Sequence, residues 1–445
     1  MGLFGTAGVR GPVTDRLTPD LAVQFGQAVA SELAVPDLVV SVARDGRTSG
    51  PALEAAVTAG LLAGGVTVQR LGVVTTPLLA FASRSGVGVM VTASHNPPGD
   101  NGLKLFINGQ EADRDVEHLV EATVANPPAP ARWDRWAAPV SASVLRSYLR
   151  TIDRYTASFG AVPNGLSVCL DAGTGTGAMT TAAALRAAGA EVVVLNGQVD
   201  GHFPARPSKP TAETLQTLSG VLAVGSFDLG VAHDGDADRV VFLDSTGEVI
   251  HEDTVTAVIA TALIETADTQ DPIVITTPNA STRIDAVVTA AGGQTVRVGL
   301  GDLQAGLAEH GDAVVFAAEP WKHIHPTLGG WIDGTASAVM FTRLVASNGL
   351  DRLVDPIDEQ PYRKLSIDCP DARKQPVMEA LAAAIPEQFP EATVEQDHGL
   401  RMTLPDDGWA LLRPSGTEPK FRIYAESQSV DALVESLIAL VEDSR

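Results

Sequence analysis

The sequence reads Val87-Gly88-Val89-Met90-Val91-Thr92-Ala93-Ser94-His95-Asn96-Pro97 near the end of its first hundred residues. Five apolar residues followed at once by polar turn residues predict a buried β-strand. Segments of helical length rich in Ala and Leu alternate with other short β-branched runs along most of the chain. This alternation predicts α/β layers with largely parallel sheets. Ser94 therefore follows the carboxyl end of a strand, where α/β sheets place their ligands.

Three consecutive series of elements follow this alternation, and residues 357–445 differ in containing four short strands and two helices. The final segment therefore resembles an α+β unit. The predicted elements of the three series are strand Leu38–Ala43, helix Pro51–Gly64 and strand Val87–Val91; strand Leu166–Leu170, helix Gly177–Ala188 and strands Val192–Leu195 and Val240–Leu243; and helix Thr254–Glu265, strand Ile273–Thr276, helix Ser281–Ala291 and strand Ala313–Phe316.

Proline-rich segments separate these series. The chain reads Asn126-Pro127-Pro128-Ala129-Pro130 in one place and Asp355-Pro356 in another, and proline continues neither a helix nor a central strand. We predict four domains: α/β domains over residues 1–142, 143–249 and 250–356, and an α+β domain over 357–445.

Composition excludes several classes of protein. The 445 residues include 54 acidic and 31 basic side chains, for a formal charge of −23, which disfavours a nucleic-acid or membrane partner. No secretory leader or apolar span of about 18 residues is found, and Cys169 and Cys369 are too few for a disulfide framework. We expect a cytoplasmic monomer or homodimer. The many acidic residues and only six lysines indicate a halophilic archaeon, or alternatively a GC-rich genome.

The Ser94 segment allows two interpretations. Asn96-Pro97-Pro98 makes a rigid turn, because each proline restricts itself and the residue before it. Ser94 is then either an ordinary capping residue or a reactive hydroxyl. A serine hydrolase is not predicted, because no G-x-S-x-G turn surrounds Ser94.

The segment His233-Asp234-Gly235-Asp236-Ala237-Asp238-Arg239 carries three carboxylates at alternate positions before a strand. Like charges this close repel unless a cation joins them, and oxygen ligands favour Mg²⁺ or Ca²⁺. An EF-hand does not fit, because its sixth position here is Arg239 and its twelfth is Ser245. The alternative is a solvated acidic turn.

A third segment, Arg413-Pro414-Ser415-Gly416-Thr417-Glu418-Pro419, lies between two predicted strands, with Arg422 beyond it. Hydroxyls, backbone amides and guanidinium groups together suit a phosphate that is held rather than cleaved. An ordinary tight turn uses similar residues, but the flanking arginines favour anion binding.

A fourth segment, Glu319-Pro320-Trp321-Lys322-His323-Ile324-His325, combines a carboxylate, a lysine and two histidines. Glu319 is suited to accept hydrogen bonds from sugar hydroxyls, and Lys322 and His323 suit phosphate or ring oxygens. Zinc held by His323 and His325 is the alternative, although further ligands are not evident.

One glycine-rich segment imitates a cofactor motif. Gly173-Thr174-Gly175-Thr176-Gly177 approximates a dinucleotide fingerprint, but the next strand ends in Leu195-Asn196 rather than an acidic residue. Close packing of a helix against a strand is the favoured interpretation.

Taken in order, these segments and Gly5-Thr6-Ala7-Gly8-Val9-Arg10-Gly11 near the start resemble the α-D-phosphohexomutase superfamily of phosphoglucomutases, phosphomannomutases and phosphoglucosamine mutases. The strings around Ser94 and Asp234 are both highly specific. The resemblance implies four domains around a central cleft, and an isomerase that interconverts sugar 1-phosphate and 6-phosphate through a sugar 1,6-bisphosphate.

The resemblance also implies a role for each site residue. Ser94 would carry a phosphoryl group, and one of its oxygens would share Mg²⁺ with Asp234, Asp236 and Asp238. The transferring phosphate would be surrounded by Arg10, His95, Lys104 and Arg239, with Lys104 a candidate for proton transfer. Glu319 would bind sugar hydroxyls, and the other phosphate would be held by Arg413, Ser415, Gly416, Thr417 and Arg422.

This sequence departs from the family at the sugar loop, where members often have Gly-Glu-(Glu/Gln)-Ser-Gly. Here Ala318-Glu319-Pro320-Trp321-Lys322 lacks the serine and the second glycine. Glucose, mannose and glucosamine phosphates therefore remain candidates, together with a phosphopentomutase acting on ribose phosphates. A phosphohydrolase that forms phosphoserine is the nearest rival in mechanism, and a regulator that binds a nucleotide or a sugar phosphate without turnover is a non-enzymatic alternative.

Overall fold

The computed structural model describes residues 2–5, 8–33, 35, 38–162, 165–416 and 418–444. The chain forms two compact units. The first unit contains Met1–Val255 and Trp321–Leu353, and the second unit contains Thr256–Pro320 and Val354–Arg445. The division into four domains, with the boundaries given above, stays a prediction.

Helices and strands alternate along both units. In residues 1–255 they are β1 (Val9–Pro12), α1 (Pro19–Glu32), β2 (Val39–Arg44), α2 (Gly50–Ala63), β3 (Thr67–Val73), α3 (Thr76–Ala82), β4 (Val87–Val91), β5 (Asp100–Ile107), β6 (Gln110–Glu111), α4 (Arg114–Ala125), β7 (Val140–Ser141), α5 (Leu145–Thr156), β8 (Ser167–Asp171), α6 (Gly177–Ala188), β9 (Glu191–Leu195), α7 (Gln216–Val224), β10 (Leu229–His233) and β11 (Val240–Leu243). They continue with α8 (Glu252–Glu265), β12 (Ile273–Thr276), α9 (Thr282–Ala290), β13 (Gln294–Arg297), α10 (Leu303–His310), β14 (Val314–Glu319), β15 (Lys322–Ile324), α11 (Gly334–Asn348), α12 (Leu350–Val354), β16 (Tyr362–Asp368), α13 (Asp371–Gln388), β17 (Thr393–Glu395), β18 (Leu400–Thr403), β19 (Trp409–Pro414), β20 (Lys420–Glu426) and α14 (Val430–Asp443).

Two mixed sheets form the first unit. One has the order β1-β5-β4-β2-β3-β7, with β6 paired to β5, and the other has the order β11-β10-β8-β9. The central pairs β4/β2, β2/β3, β10/β8 and β8/β9 are parallel, whereas β5 and β11 are antiparallel to their neighbours. The carboxyl ends of β4 and β10 carry the two sequence segments that contain Ser94 and Asp234.

Local sequence explains the helices that flank the first sheet. Thr18 caps α1 by accepting a hydrogen bond from the Leu21 amide, and Pro19 occupies the first turn, where it removes no internal hydrogen bond. The α1 and α2 backbones pass very close to each other: a Cβ atom on Gly26 would lie 2.4 Å from the Val57 carbonyl oxygen. The glycine therefore allows this helix pair to pack against the sheet.

The second unit contains a parallel and an antiparallel sheet. Strands β13, β12 and β14 lie in that order with parallel pairing. Strands β16-β20-β19-β18-β17 form an entirely antiparallel sheet, and the apolar faces of α13 and α14 contribute to the core that covers it.

The predicted fold class is confirmed: the sheets are mixed and mostly parallel in the α/β segments, and the C-terminal segment is α+β. Several elements were not predicted, among them α1, β3, β5 and β17, the last of which makes the C-terminal sheet five-stranded rather than four-stranded. Residues 100–107 form the antiparallel strand β5, where the sequence pattern predicts no strand. Strand β14 continues to Glu319 rather than ending at Phe316. Among the described residues, no helix is both long enough and apolar enough to cross a membrane.

Candidate active site

Ser94 lies in the turn after β4 and is almost fully buried, with 1% of its surface exposed. Its backbone has φ +50°, a left-handed conformation that costs a non-glycine residue on the order of 1 kcal/mol. The Ser94 hydroxyl donates to Asp234 Oδ2 over 2.6 Å and lies 3.3 Å from His95 Nδ1. The structure thus brings the predicted serine into direct contact with the first predicted aspartate.

The acidic turn, residues 234–239, joins the antiparallel strands β10 and β11. Asp234, Asp236 and Asp238 are each at most 2% exposed, and one oxygen from each lies within 4.8 Å of the others. Within the described chain, the Oδ1 atoms of Asp236 and Asp238 are buried and have no hydrogen-bond partner. Buried carboxylate oxygens without donors fit the ligands that Mg²⁺ prefers.

The glycine-rich turn at Gly173–Gly177 packs against the acidic turn. A Cβ atom on Gly175 would lie 2.8 Å from the Gly235 carbonyl oxygen, and the Thr176 amide donates to that oxygen over 3.1 Å. There is no room for a side chain at Gly175. The sequence predicted close packing of a helix against a strand, but at Gly175 the packing partner is the acidic turn instead.

Lys104, on the first sheet, and Thr76, at the start of α3, both contact the acidic turn. Lys104 Nζ, on β5, donates to Asp238 Oδ2 over 2.8 Å and lies 3.5 Å from Asp236 Oδ2. Thr76, at the start of α3, donates its hydroxyl to Asp236 Oδ2 over 2.6 Å and its amide to the Asp236 carbonyl over 3.0 Å. These bonds fix the acidic turn relative to Ser94.

Burial and neighbouring charges shift the carboxyl pKa values in opposite directions. Burial, aided by Asp238 and Asp236, raises the pKa of Asp234 well above its usual range. Burial also opposes ionisation of Asp238, but Lys104 and Lys322 outweigh it and lower the pKa of Asp238. The carboxylate nearest the lysines is therefore the one most strongly held in its charged form.

The basic groups of the site divide into charged and neutral ones. Burial alone would lower the pKa of Lys104, but the carboxylates of Asp238, Asp236 and Glu111 raise it. Lys104 is therefore an ammonium at neutral pH. Burial, together with Arg239 and Arg10, lowers the pKa of His95 to about 2, which leaves its ring neutral. The Nε atoms of Arg10 and Arg239 are buried without an acceptor in the described chain. Such donors suit an anion supplied from outside.

Lys322 joins the acidic turn, whereas Glu319 belongs to the second unit. Lys322 begins β15 and forms an antiparallel bridge with Arg239, and the Val240 amide donates to the Trp321 carbonyl over 3.1 Å. Glu319 is the last residue of β14. The sequence placed both residues in one loop after a strand, but the structure divides them between the two units.

The two histidines after Lys322 lie in the core of the first unit. His323 Nδ1 and His325 Nε2 lie 3.0 and 2.8 Å from Ser337 Oγ, and His325 Nδ1 lies 3.1 Å from the Tyr155 hydroxyl. The acidic turn is the only group of three metal-ligating side chains found among the described residues, so the structure does not support the zinc alternative. His323 is 1% exposed, and its contact with substrate stays a prediction.

We expect replacement of His325 to make the fold less sensitive to acid. Burial lowers the pKa of His325 to about 3, whereas an unfolded histidine titrates near 6.5. Between these values the unfolded chain binds more protons, so the free energy of unfolding falls as pH falls, by at most about 1.4 kcal/mol per pH unit. Urea titrations between about pH 6.5 and 4 should show a shallower fall for His325→Gln. The exposed-site control His118→Gln should keep the wild-type slope, and equal slopes for all three proteins would contradict the prediction.

The predicted phosphate loop lies in the second unit between β19 and β20. Arg413 and Arg422 are direct partners across this strand pair, and like charges at such positions repel. Glu418 accepts a hydrogen bond from Arg422 Nη2 over 2.8 Å. Burial lowers the pKa of Arg413. An anion beside Arg413 would relieve both the repulsion and the cost of burying its charge.

Backbone contacts hold the same loop. The Ser415 amide donates to the Lys420 carbonyl over 2.8 Å, and Ser415 Oγ accepts from the Glu418 amide over 3.2 Å. Lys374 Nζ, on α13, donates to the Glu418 carbonyl over 2.7 Å. Gly416 is exposed, and Thr417 lies outside the described residues.

Sequence reasoning missed a set of buried polar side chains that hold the Ser94 and acidic turns. Arg206, for example, donates to Asp171 Oδ2 and to the His233 carbonyl, each over 2.7 Å. These residues are not next to one another in the sequence and form no recognisable motif. The sequence shows only that a charged or hydroxyl side chain lies near a buried strand. The set comprises Asp45, Arg47, Thr76, Arg206 and Ser208.

Comparisons with known proteins identify the family of this chain. Models of the phosphoglucomutase/phosphomannomutase family match residues 1–129 as alpha/beta/alpha domain I, 146–247 as alpha/beta/alpha domain II and 367–443 as the C-terminal domain.

Curated relatives and solved structures resemble the whole chain. A phosphopentomutase of Thermococcus kodakarensis is 38% identical over 435 residues, and a probable phosphoglucosamine mutase of Methanopyrus kandleri is 36% identical over 439 residues. Each alignment covers 96% of this chain and 94% of the relative. The crystal structure of a phosphoglucomutase/phosphomannomutase family protein from Burkholderia thailandensis has a TM-score of 0.86 at 25% identity, covering 99% of this chain and 97% of that one.

Proposed function

The chain belongs to the α-D-phosphohexomutase superfamily of sugar-phosphate mutases, and we propose that it interconverts the 1- and 6-phosphates of glucose, mannose or glucosamine through a phosphoserine at position 94. The observation that carries this proposal is the buried contact of 2.6 Å between Ser94 Oγ and Asp234, within a cluster that also holds Asp236, Asp238 and Lys104. A capping serine would not require three buried carboxylates and an ammonium beside it.

Asp234, Asp236 and Asp238 would hold Mg²⁺ together with one oxygen of the phosphorylated serine. The buried Oδ1 atoms of Asp236 and Asp238, which have no donor within the described chain, support this assignment. When bound, the ion neutralises charge on the phosphoryl oxygens, which phosphoryl transfer requires. Arg10 and Arg239 add guanidinium donors whose Nε atoms find no acceptor in the described chain.

Each half of the reaction exchanges one P–O bond for another. The bond from phosphorus to Ser94 Oγ breaks as a sugar hydroxyl oxygen bonds to phosphorus, and a proton moves overall from that hydroxyl to Ser94 Oγ. Lys104, as an ammonium, is suited to supply the proton to the serine oxygen and to recover it from the sugar. The sugar 1,6-bisphosphate then reverses its orientation in the site and returns its other phosphate to Ser94.

Further residues are assigned to bind the sugar and the phosphate that is not being transferred. We propose that Glu319 accepts hydrogen bonds from sugar hydroxyls, and that Lys322 and His323 contact the substrate. The second phosphate would lie at the loop formed by Arg413, Ser415, Gly416, Thr417 and Arg422.

A phosphopentomutase is the second candidate. The loop Glu319-Pro320-Trp321-Lys322 lacks the family serine and glycine, and one relative, 38% identical, is named phosphopentomutase. Both observations concern the sugar rather than the phosphoryl chemistry, so the two candidates share Ser94 and the acidic turn.

The deciding experiment uses one preparation of the protein at high salt with Mg²⁺ and a trace of sugar bisphosphate. The substrates are the 1- and 6-phosphates of glucose, mannose and glucosamine, together with ribose phosphates. Isomerisation of one hexose pair at the highest kcat/KM supports the proposal, and preference for ribose phosphates supports the second candidate. Release of inorganic phosphate at the rate of substrate loss would indicate a phosphohydrolase, and absence of all turnover would contradict both mutases.

We expect Arg413→Ala to raise KM for the monophosphate by about 10- to 100-fold, because the substrate phosphate loses one hydrogen bond between charged groups. A distal phosphate is bound similarly in the ground and transition states, so kcat should change little. Steady-state kinetics would measure both constants. Arg363→Ala is the control, because Arg363 is an exposed arginine on β16 paired with Asp431. A fall in kcat alone would contradict the assignment of Arg413.

A further inference from the structure

Arg47 is a fully buried arginine whose donors converge on the turn that carries Ser94. It lies between β2 and α2 and has none of its surface exposed. Its Nη2 donates to the carbonyl of Ser94 over 2.8 Å and to that of Asn96 over 2.7 Å. Its Nη1 donates to the carbonyls of Pro97 and Asp100, over 2.6 and 2.9 Å. One guanidinium therefore binds four carbonyl groups of a single turn.

Asp45 links Arg47 to the other side of Ser94. Arg47 Nε donates to Asp45 Oδ2 over 3.0 Å, and the Thr92 hydroxyl donates to the same oxygen over 2.7 Å. Thr92 Oγ1 in turn accepts from the Ser94 amide over 2.9 Å. Both peptide groups of Ser94 are thus held by one buried network, which stabilises the left-handed backbone at φ +50°.

Ser208, which lies between β9 and α7, makes a further contact with Ser94. Its hydroxyl donates to the Ser94 carbonyl over 3.1 Å. A Cβ atom on Gly235 would lie 2.9 Å from that same carbonyl oxygen. The Ser94 carbonyl is therefore enclosed by Arg47, Ser208 and the acidic turn, and the direction of the Ser94 side chain depends on where this carbonyl is held.

We propose that Arg47 is a positioning residue for phosphoryl transfer: it holds the Ser94 turn so that the serine oxygen faces the acidic turn. Arg47 touches the backbone and no reacting atom, so it acts through Ser94. The expected kinetic effect of this inference rests on the proposed function. The contacts by which Arg47 holds the turn do not depend on it. Displacement of a reacting oxygen by about 1 Å lowers a rate on the order of 100-fold.

The main test is Arg47→Lys in the full chain. Lysine keeps the charge, but its three donors on one nitrogen cannot reproduce the planar fork that reaches four carbonyls and Asp45. We expect kcat to fall by about 100-fold with KM within about threefold. Hydrogen exchange of the amides in residues 92–100 should also become faster, because the turn loses its anchors.

Arg343→Lys is the matched control. Arg343 is also a buried arginine of the first unit, and it binds Asp153 and the Gly160 carbonyl far along the chain from Ser94. It should lower stability without changing kcat or exchange in residues 92–100. Equal kinetic effects of the two substitutions, or a change in KM alone for Arg47→Lys, would overturn the inference.

Ser208→Ala covers the case in which Arg47→Lys does not fold. Loss of this single hydrogen bond should lower kcat by about fivefold at unchanged KM, and an unchanged kcat would then overturn the inference. If the wild-type protein isomerises no sugar phosphate, the proposed function fails by itself. Arg47 is then judged by hydrogen exchange, where protection of residues 92–100 equal to that of the wild type would reject its role.

Discussion

Ser94→Ala is expected to lower mutase turnover by about 10⁴-fold or more, the scale seen when a nucleophile is removed from an enzyme. The substitution deletes the one oxygen that contacts both Asp234 and His95. It leaves the Ser94 amide and carbonyl in place, with their bonds to Thr92 and Arg47. The fold should therefore survive while phosphoryl transfer does not.

Three measurements separate chemistry from folding in this variant. The first is kcat at saturating substrate, the second is the thermal midpoint, and the third is the intact mass after incubation with sugar bisphosphate, which should show no added phosphoryl group. Ser83→Ala is the matched control: Ser83 is equally buried, and its hydroxyl donates to the Ala80 carbonyl. A rate for Ser94→Ala within about tenfold of the wild type would refute the phosphoserine.

The residues that carry the proposed chemistry were accessible from sequence because they are contiguous. Asp234, Asp236 and Asp238 alternate along one short turn, and the repulsion between them favours a bound cation. Ser94 was accessible for a different reason, since an apolar strand ends three residues before it. In each case the local sequence pattern is enough to predict a functional residue. The structure adds the contact between Ser94 and the acidic turn.

Arg47 could not be predicted in this way. Its partners are carbonyl groups about fifty residues further along the chain. Every residue has a backbone carbonyl, so the sequence does not show which carbonyl accepts a hydrogen bond. Thr76 presents the same difficulty, because its bond to Asp236 spans 160 residues. Strand β5 was missed because Lys104 interrupts its apolar run, although Lys104 is buried by its bond to Asp238. A polar residue there reflects the site rather than an exposed face.

Local charge in the site opposes the charge of the whole chain. The formal charge is −23, which repels a sugar phosphate at long range. The basic groups Arg10, Lys104, Arg239 and Lys322 lie around Ser94, near enough that all of them act on the pKa of His95 or Asp238. Salt screens the long-range field over about 10 Å or less, while buried groups at contact distance are screened much less. Substrate recognition therefore depends on the local cluster.

Asp236→Asn is expected to weaken Mg²⁺ binding by at least about 100-fold, since losing even a side chain that supports a metal ligand costs 10- to 100-fold. The substitution removes one of three buried carboxyl groups and keeps nearly the same volume. It also places an amide where Asp236 Oδ2 now accepts from Thr76 and lies 3.5 Å from the Lys104 ammonium. An amide nitrogen at that position would face two donors, so the amide oxygen has to turn towards Thr76. The nitrogen then occupies the Oδ1 position, where it cannot coordinate a cation.

Titration of activity with MgCl₂ and calorimetric Mg²⁺ binding would measure this effect, after a chelator has removed the metal from both proteins. Asp113→Asn is the control, because it changes the net charge equally at the exposed cap of α4, where asparagine caps as well as aspartate. Activity of Asp236→Asn should recover partly at high MgCl₂, because two carboxylates and the serine phosphate remain. An unchanged Mg²⁺ dependence would mean that the buried Oδ1 of Asp236 is an uncompensated acceptor rather than a ligand, and the acidic turn would lose its assignment as the metal site.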